Sequence, residues 1–244
     1  MTAFYIILAI LLFGVLVLAH EFGHFITAKL SGVRVNEFSL FMGPAIFKKT
    51  KGETTYSLRC IPIGGYCAME GEDDESDDPR AFGNAKLYKR LIILVAGSFM
   101  NFVAGFLITV LFVSLAFGYV PSTSLSGFAE GCPYEGADAL QAGDRFYSID
   151  GERVYINSDI TLLLERSSTQ VYDIVVVRDG KKVKLNDFEL KRVDYDGEMK
   201  YGFLFPTGEK TVGNILSYSW QQCRDFARLV RLGLQDLITG RAGI

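Results

Sequence analysis

Two long stretches without a charge constrain this chain more than anything else in it. Residues 3–19 are apolar or glycine apart from Tyr5, and the apolar character continues through Phe22, Phe25 and Ile26. Residues 91–120, LIILVAGSFMNFVAGFLITVLFVSLAFGYV, are uncharged throughout. A bilayer core of about 30 Å needs roughly 20 helical residues, so each run predicts a transmembrane helix, the second with room to tilt. A cleaved signal peptide is the other reading of the first run, but no basic region precedes it and no small-residue cleavage site stands ahead of His20. Ala96, Gly97, Ser98, Ala104 and Gly105 let a neighbouring helix approach the second run closely.

The rest of the composition agrees. A mean hydropathy of +0.22 with 13% aromatic residues is high for a water-soluble domain. The net charge of -3 and the lack of a basic stripe with interleaved aromatics argue against a nucleic-acid partner. Cys60, Cys67, Cys132 and Cys223 make no CxxC pair or common zinc spacing, which predicts buried thiols, with a Cys60–Cys67 bridge as the alternative.

Basic residues orient the chain. Lys29, Arg34, Lys48, Lys49, Lys51, Arg59, Arg80, Lys86, Lys89 and Arg90 all fall between the two runs, and none precedes Phe4. The positive-inside rule places that loop in the cytoplasm, and the N-terminus and everything after Val120 on the other side. Within the loop, β-branched and apolar stretches broken at Gly43-Pro44, Lys51-Gly52 and Gly64-Gly65 predict a set of hairpins. The acidic run 70–78 reads as a solvated turn or as a metal-binding tail.

After residue 122 the pattern becomes that of a soluble β-rich module. A strand pair turns at Asp150-Gly151, a short helix is capped near Ser158, and a hairpin turns at Asp179-Gly180. Beyond Gly208, one helical face carries Trp220, Cys223, Phe226, Ala227, Val230, Leu234 and Leu237, and another Arg224, Arg228 and Arg231. Such a helix lies on a membrane surface or packs on a neighbouring helix.

The chain has two histidines, and both lie in the first apolar run, in AHEFGHF. Four residues apart on a helix, His20 and His24 share a face about 6 Å apart along the axis, close enough to hold one metal ion. Glu21 follows directly, placed to take a proton from an attacking water. This is the HExxH pattern of zinc hydrolases. Polar residues at a helix end satisfied by water would be the plainer account, but ionisable groups in a membrane span are costly and mark function.

With AHEFGHF in the first span, GPAIF and IPIGGYC in the loop, LVAGSFMNFVAGF in the second span and EGADALQAGDRFYSIDGERV after it, the chain resembles the site-2 protease family of intramembrane zinc metalloproteases, in its bacterial RseP-like branch. The likeness covers essentially the whole chain. It implies an α+β membrane protein: two transmembrane helices with a membrane-associated β-hairpin loop between them, then a PDZ-like β-rich domain and an amphipathic C-terminal helix. The expected domain limits are 1–30, 31–85, 86–120, 121–208 and 209–244.

The resemblance further implies a Zn2+ cofactor held by His20 and His24, with Glu21 as catalytic base. Asn101 would hold substrate or the developing oxyanion, though an interhelical hydrogen bond explains it nearly as well. The loop would meet an extended substrate by strand addition, with Gly64 and Gly65 shaping it or simply making a turn. The implied partners are single-span membrane proteins, such as anti-sigma factors or signal-peptide remnants, cut in their transmembrane segments after a first cleavage. Membrane lipid, and peptide ends at the PDZ-like domain, complete the set. The expected location is the bacterial inner membrane. The family's third zinc ligand is an aspartate in a later transmembrane helix; none of Asp150-Gly151, Asp179-Gly180 and Asp196-Gly197 suits that role, so the chain is expected to supply two of three protein ligands and to be a fragment, the alternative being an improvised third ligand. The competing readings are a membrane-anchored PDZ-type peptide-binding protein without protease activity, and a metal-binding membrane protein.

Overall fold

A computed structural model describes residues 2–167, 169–195 and 197–240 and resolves two compact units, Met1–Leu107 and Ile108–Ile244. The first run becomes α1 (Thr2–Ser31). Ile6, Leu11 and Phe13 on it are at least half exposed, as is much of its outer surface. A core helix in a soluble protein would cover these side chains, so an apolar shell of this kind asks for lipid.

The second run becomes α2 (Leu87–Ala116), with a window somewhat less apolar than that of α1 but also long and apolar enough to cross a membrane. It starts four residues before the uncharged stretch, and Lys89 there donates to the Ser31 carbonyl at 2.7 Å. It also ends four residues early. Pro121 disfavours the α conformation at Val120, and Gly118 weakens the last turn, so the expected helical limit of 120 is too long.

Between the helices lie β1 (Val35–Lys51) and β2 (Thr54–Met69), each of which doubles back within its own length. The chain reverses at Gly52 between them and also within each, around Gly43 and around Gly64, which take φ of +84° and +76°. These reversals fold the pair onto itself. Val35 to Leu40 faces Met69 to Gly65 on one side and lies beside Thr55 to Leu58 on the other, and Ala45 to Lys51 returns along Arg59 to Thr54. Arg59 fastens the curl by donating to the Gly43 carbonyl at 2.7 Å and to Glu37 at 2.8 Å. Ala28, Val33, Val35, Cys67, Met69, Phe82 and Ile93 form the small core where α1, α2 and the strands meet. The acidic run is less loose than a solvated turn: Glu70 accepts from Asn36 and Ser76, and Asp78 from Arg34.

The second unit takes in α2 from Ile108 onward. Its centre is the antiparallel sheet β6-β5-β7-β8, built from β5 (Arg145–Ile149), β6 (Glu152–Arg153), β7 (Val171–Arg178) and β8 (Lys181–Glu189). The turns at Asp150-Gly151 and Asp179-Gly180 stand where the sequence puts them, with φ of +48° at both aspartates. Short pairs join β3 (Val120–Pro121) to β12 (Thr207–Gly208), and β4 (Gly127–Phe128) to β11 (Phe203–Leu204); β9 (Val193–Tyr195) pairs with β10 (Glu198–Lys200).

Helix α3 (Asn157–Arg166) covers the sheet, and Phe146, Ile149, Leu164, Tyr172, Ile174 and Val176 form the core beneath it. Its cap is not Ser158. Asp159 instead accepts from the backbone N–H groups of Tyr155 and Ile156 at 2.6 and 3.0 Å, satisfying donors at the helix start. Helix α4 (Val212–Thr239), capped by Thr211 and closed by Gly240 in the left-handed conformation, keeps Trp220, Phe226, Val230, Leu234 and Leu237 exposed. Its other face carries the buried Arg228, ion-paired with Asp159 and Asp225, beside Arg231 paired with Glu152. The thiols are all free; only Cys67 is buried and Cys60 is exposed, which corrects the expectation of four buried thiols and removes the bridge. The Asp196-Gly197 pair involves Asp196, which lies outside the described residues.

Candidate functional site

Helical spacing alone puts His20 and His24 on one face of α1, and the packing of α1 on α2 decides what that face meets. Gly23 makes this packing possible: a Cβ there would stand 2.7 Å from the Ala96 carbonyl carbon and 2.9 Å from Met100 Cγ. The two imidazoles stand nearly edge to face, 4.8 Å between centroids, with their Nε2 atoms 3.1 Å apart.

The partners of the other ring nitrogens fix the roles. His24 Nδ1 donates to the Ile93 carbonyl at 2.7 Å, which leaves the lone pair on Nε2. His20 Nδ1 lies 3.2 Å from the side-chain amide nitrogen of Asn101, whose Oδ1 is buried with no partner among the described residues. Turning that amide over lets Oδ1 accept from His20 Nδ1–H, and then His20 Nε2 also carries a free lone pair. Two free lone pairs then stand on nitrogens 3.1 Å apart.

The pair fits zinc. Two nitrogens each about 2.0–2.1 Å from one tetrahedral ion lie roughly 3.3 Å apart, close to the separation seen. The backbone opposite is Gly97, where a Cβ would come within 2.7 Å of His20 Nε2 and closer still to His24 Nε2. The missing side chain is a cradle beside the nitrogens. Among the described residues no group of three or more His, Cys, Asp or Glu converges, so the two histidines stand as a pair without a third protein ligand beside them. A catalytic zinc site ordinarily has three. Asp150 is instead occupied in a turn, accepting from Asp173 N–H.

Glu21 lies on the adjoining side of α1, half-buried, and β2 runs against it. A Cβ on Gly65 would be 3.2 Å from Glu21 Cγ, 3.2 Å from Val17 Cγ1 and 2.9 Å from the Ser39 carbonyl. Gly64 takes the left-handed conformation, and a side chain there would strike Met42. The structure thus brings His20, Glu21, His24, Asn101 and Gly65 into one neighbourhood, with Gly64 as the bend that delivers β2 to it. Sequence reasoning treated Gly97 as helix-packing surface only, and it missed the Ile93 carbonyl. The signal for Gly97 was present: it lies four residues before Asn101, on the same face of α2.

Similarity searches find related proteins along the chain. The model of peptidase family M50 matches residues 8–244. A candidate zinc metalloprotease of Clostridium perfringens is 33% identical over 252 residues, covering 98% of this chain and 70% of the relative. One from Clostridium acetobutylicum is 34% identical over 247 residues, with 99% and 70% covered. A third, from Fusobacterium nucleatum, is 35% identical over 184 residues, with 73% and 53% covered.

Proposed function

This chain belongs to peptidase family M50, a site-2 type zinc metalloprotease family, and from that premise we propose that it cleaves peptide bonds within or at the edge of transmembrane segments of single-span membrane proteins. The observation that carries the reading is the 3.1 Å approach of the His20 and His24 Nε2 atoms beside the bare backbone of Gly97. His20 and His24 are the zinc ligands, and zinc, when bound, would polarise the scissile carbonyl and acidify water. Glu21 takes a proton from the attacking water on its carboxylate and returns it to the leaving amine. Asn101 and the Ile93 carbonyl hold the imidazoles in the tautomer that keeps both Nε2 atoms free.

A peptide bond inside a helix is shielded, so a substrate has to be extended before it is cut. The edge of β2 around Gly64 and Gly65 supports strand addition next to Glu21. The second unit is a PDZ-like module on the extracytoplasmic side that screens substrates after a first cut. Its cleft of about 730 Å³ beside α3 and β11, lined by Ile160, Tyr201, Phe203 and Phe205 together with Arg192, Glu198 and Lys200, has the size and the mixed apolar and charged walls to take a peptide end. The alternative of a PDZ-type binding protein without protease activity draws on the same cleft.

Cleavage of a single-span test substrate in detergent with zinc, by the natural full-length protein and its Glu21→Gln variant, tests the reading. Cleavage lost in the variant supports it. Absence of cleavage by both, with zinc shown to be bound, moves the weight to the binding module.

A further inference from the structure

Eight arginines are described in the second unit, and five of them, Arg166, Arg178, Arg192, Arg228 and Arg231, are ion-paired with carboxylates. The other three are Arg145, Arg153 and Arg224, and among the described residues none of them has a carboxylate partner. All three line one small cavity of about 90 Å³ with Thr123 and Gln221. Scattered surface arginines would not collect in this way.

The contacts these arginines do make leave their strongest donors available. The Arg153 guanidinium lies over the Tyr147 ring, and that of Arg224 over the Tyr155 ring at 4.5 Å to the centroid. Stacking uses the flat face of a guanidinium and spares the N–H fork in its plane. Arg224 Nη2 gives one long bond of 3.4 Å to Tyr155 Oη, and Arg153 Nη1 is shut away from water without any acceptor. A buried, unanswered guanidinium nitrogen is costly, and an anion is what relieves it. Lys182 and Arg153 flank Tyr147, and the Lys182 hydrogen bond together with the Arg153 charge pulls its phenol below the ordinary tyrosine range.

We propose that this cavity is a phosphate site, taking the phosphate group of a lipid headgroup or of a free phosphate. The volume equals roughly three liquid waters, which suits one tetrahedral oxyanion. Thr123, Arg145 and Gln221 also line a neighbouring groove of about 300 Å³ with Val120, Asn214 and Ser217. Asn214 and Ser217 belong to the first turns of α4, whose N-terminal dipole adds to the attraction for an anion. The groove begins at Val120, four residues beyond the last residue of α2, at the level where a chain leaving a bilayer meets headgroups. Neither the metal pair nor the peptidase reading enters this assignment.

The test uses the full chain in phosphate-free non-ionic detergent at constant ionic strength. Binding is followed by calorimetry and by emission of Trp220, the single tryptophan, which adjoins Gln221. The probes are inorganic phosphate, dihexanoylphosphatidylglycerol, and dihexanoylglycerol as the phosphate-free control. Saturable binding of either phosphate probe, weakened about tenfold or more in Arg145→Gln and in Arg224→Gln and unchanged in Lys184→Gln, is the expected result. Binding of the lipid probe alone identifies the headgroup as the source, and binding of inorganic phosphate alone identifies free phosphate. Should no phosphate probe bind saturably, or should Lys184→Gln weaken binding as much as the arginine variants do, the site is overturned. Arg145 is solvent-exposed, so its variant keeps the test valid even where Arg153→Gln fails to fold.

Discussion

The backbone of Gly97 on α2 lies so close to His24 on α1 that a single methyl group in its place would collide with the imidazole Nε2. That methyl would take the space a shared metal needs and push the two helices apart at the level of the histidines. Gly97→Ala is therefore expected to lose zinc and to lower cleavage by a hundredfold or more, on the order of 3 kcal/mol in transition-state terms. Gly118→Ala, at a glycine whose added Cβ meets nothing within 4 Å, is the matched control and should retain zinc. Metal content by atomic emission on the purified proteins decides it.

Asn101 acts on zinc through His20, so its variants should divide by what they can accept. Asn101→Leu removes the acceptor for His20 Nδ1–H and is expected to weaken zinc binding by about 10- to 100-fold. Asn101→Asp keeps an acceptor at the same place and should preserve zinc binding far better. Zinc competition titrations on both variants check this; equal loss in the two would mean that Asn101 merely joins the helices.

How far the sequence could be read depends on the range of the interactions involved. The histidine pair was legible because four-residue spacing on a helix is local geometry, and α1 was legible because a bilayer demands an unbroken apolar run. The end of α2 was misjudged because a hydropathy run does not see Pro121 acting on Val120. The folding of β1 and β2 into one curled pair was hidden for a different reason. Gly43 and Gly64 look like turn glycines in sequence and the chain does reverse at both, but only their strand partners show which segments come to lie side by side. Gly97 facing the histidines is likewise a matter of tertiary contact, whereas Asp159 reaching back to the N–H groups of Tyr155 and Ile156 is local geometry.

Gly65 tests whether the proximity of β2 to Glu21 matters. A valine there would meet the Ser39 carbonyl and Glu21 Cγ, displacing the strand edge from the carboxylate. Gly65→Val is expected to retain zinc and yet lose at least tenfold in kcat/KM, whereas Gly52→Ala, in the distant turn, should stay within about twofold. Cleavage assays alongside metal analysis separate the two effects, and loss of zinc in Gly65→Val would show that the change acts on the metal pair instead.

Asp225 gives the second unit a pH dependence. Burial first, and the nearby Asp159 carboxylate second, push its carboxyl up to about 6, against the pull of Arg228. In an unfolded chain the same group loses its proton near 4, so between roughly pH 4 and 6 the folded form binds more protons than the unfolded one. Stability then falls as pH rises through that window, and the cost is complete above it. The wild-type chain is expected to melt higher at pH 5 than at pH 7, by an amount on the order of 1 kcal/mol. Asp225→Asn keeps an acceptor for Arg228 without a charge and should flatten this difference while raising the pH 7 midpoint. Removing the cation has the opposite effect: Arg228→Leu leaves Asp159 and Asp225 buried together and should cost roughly 3–5 kcal/mol at pH 7. Thermal melts of the three proteins at both pH values supply the comparison, and a flat profile for the wild type would mean that Arg228 keeps Asp225 ionised across the range.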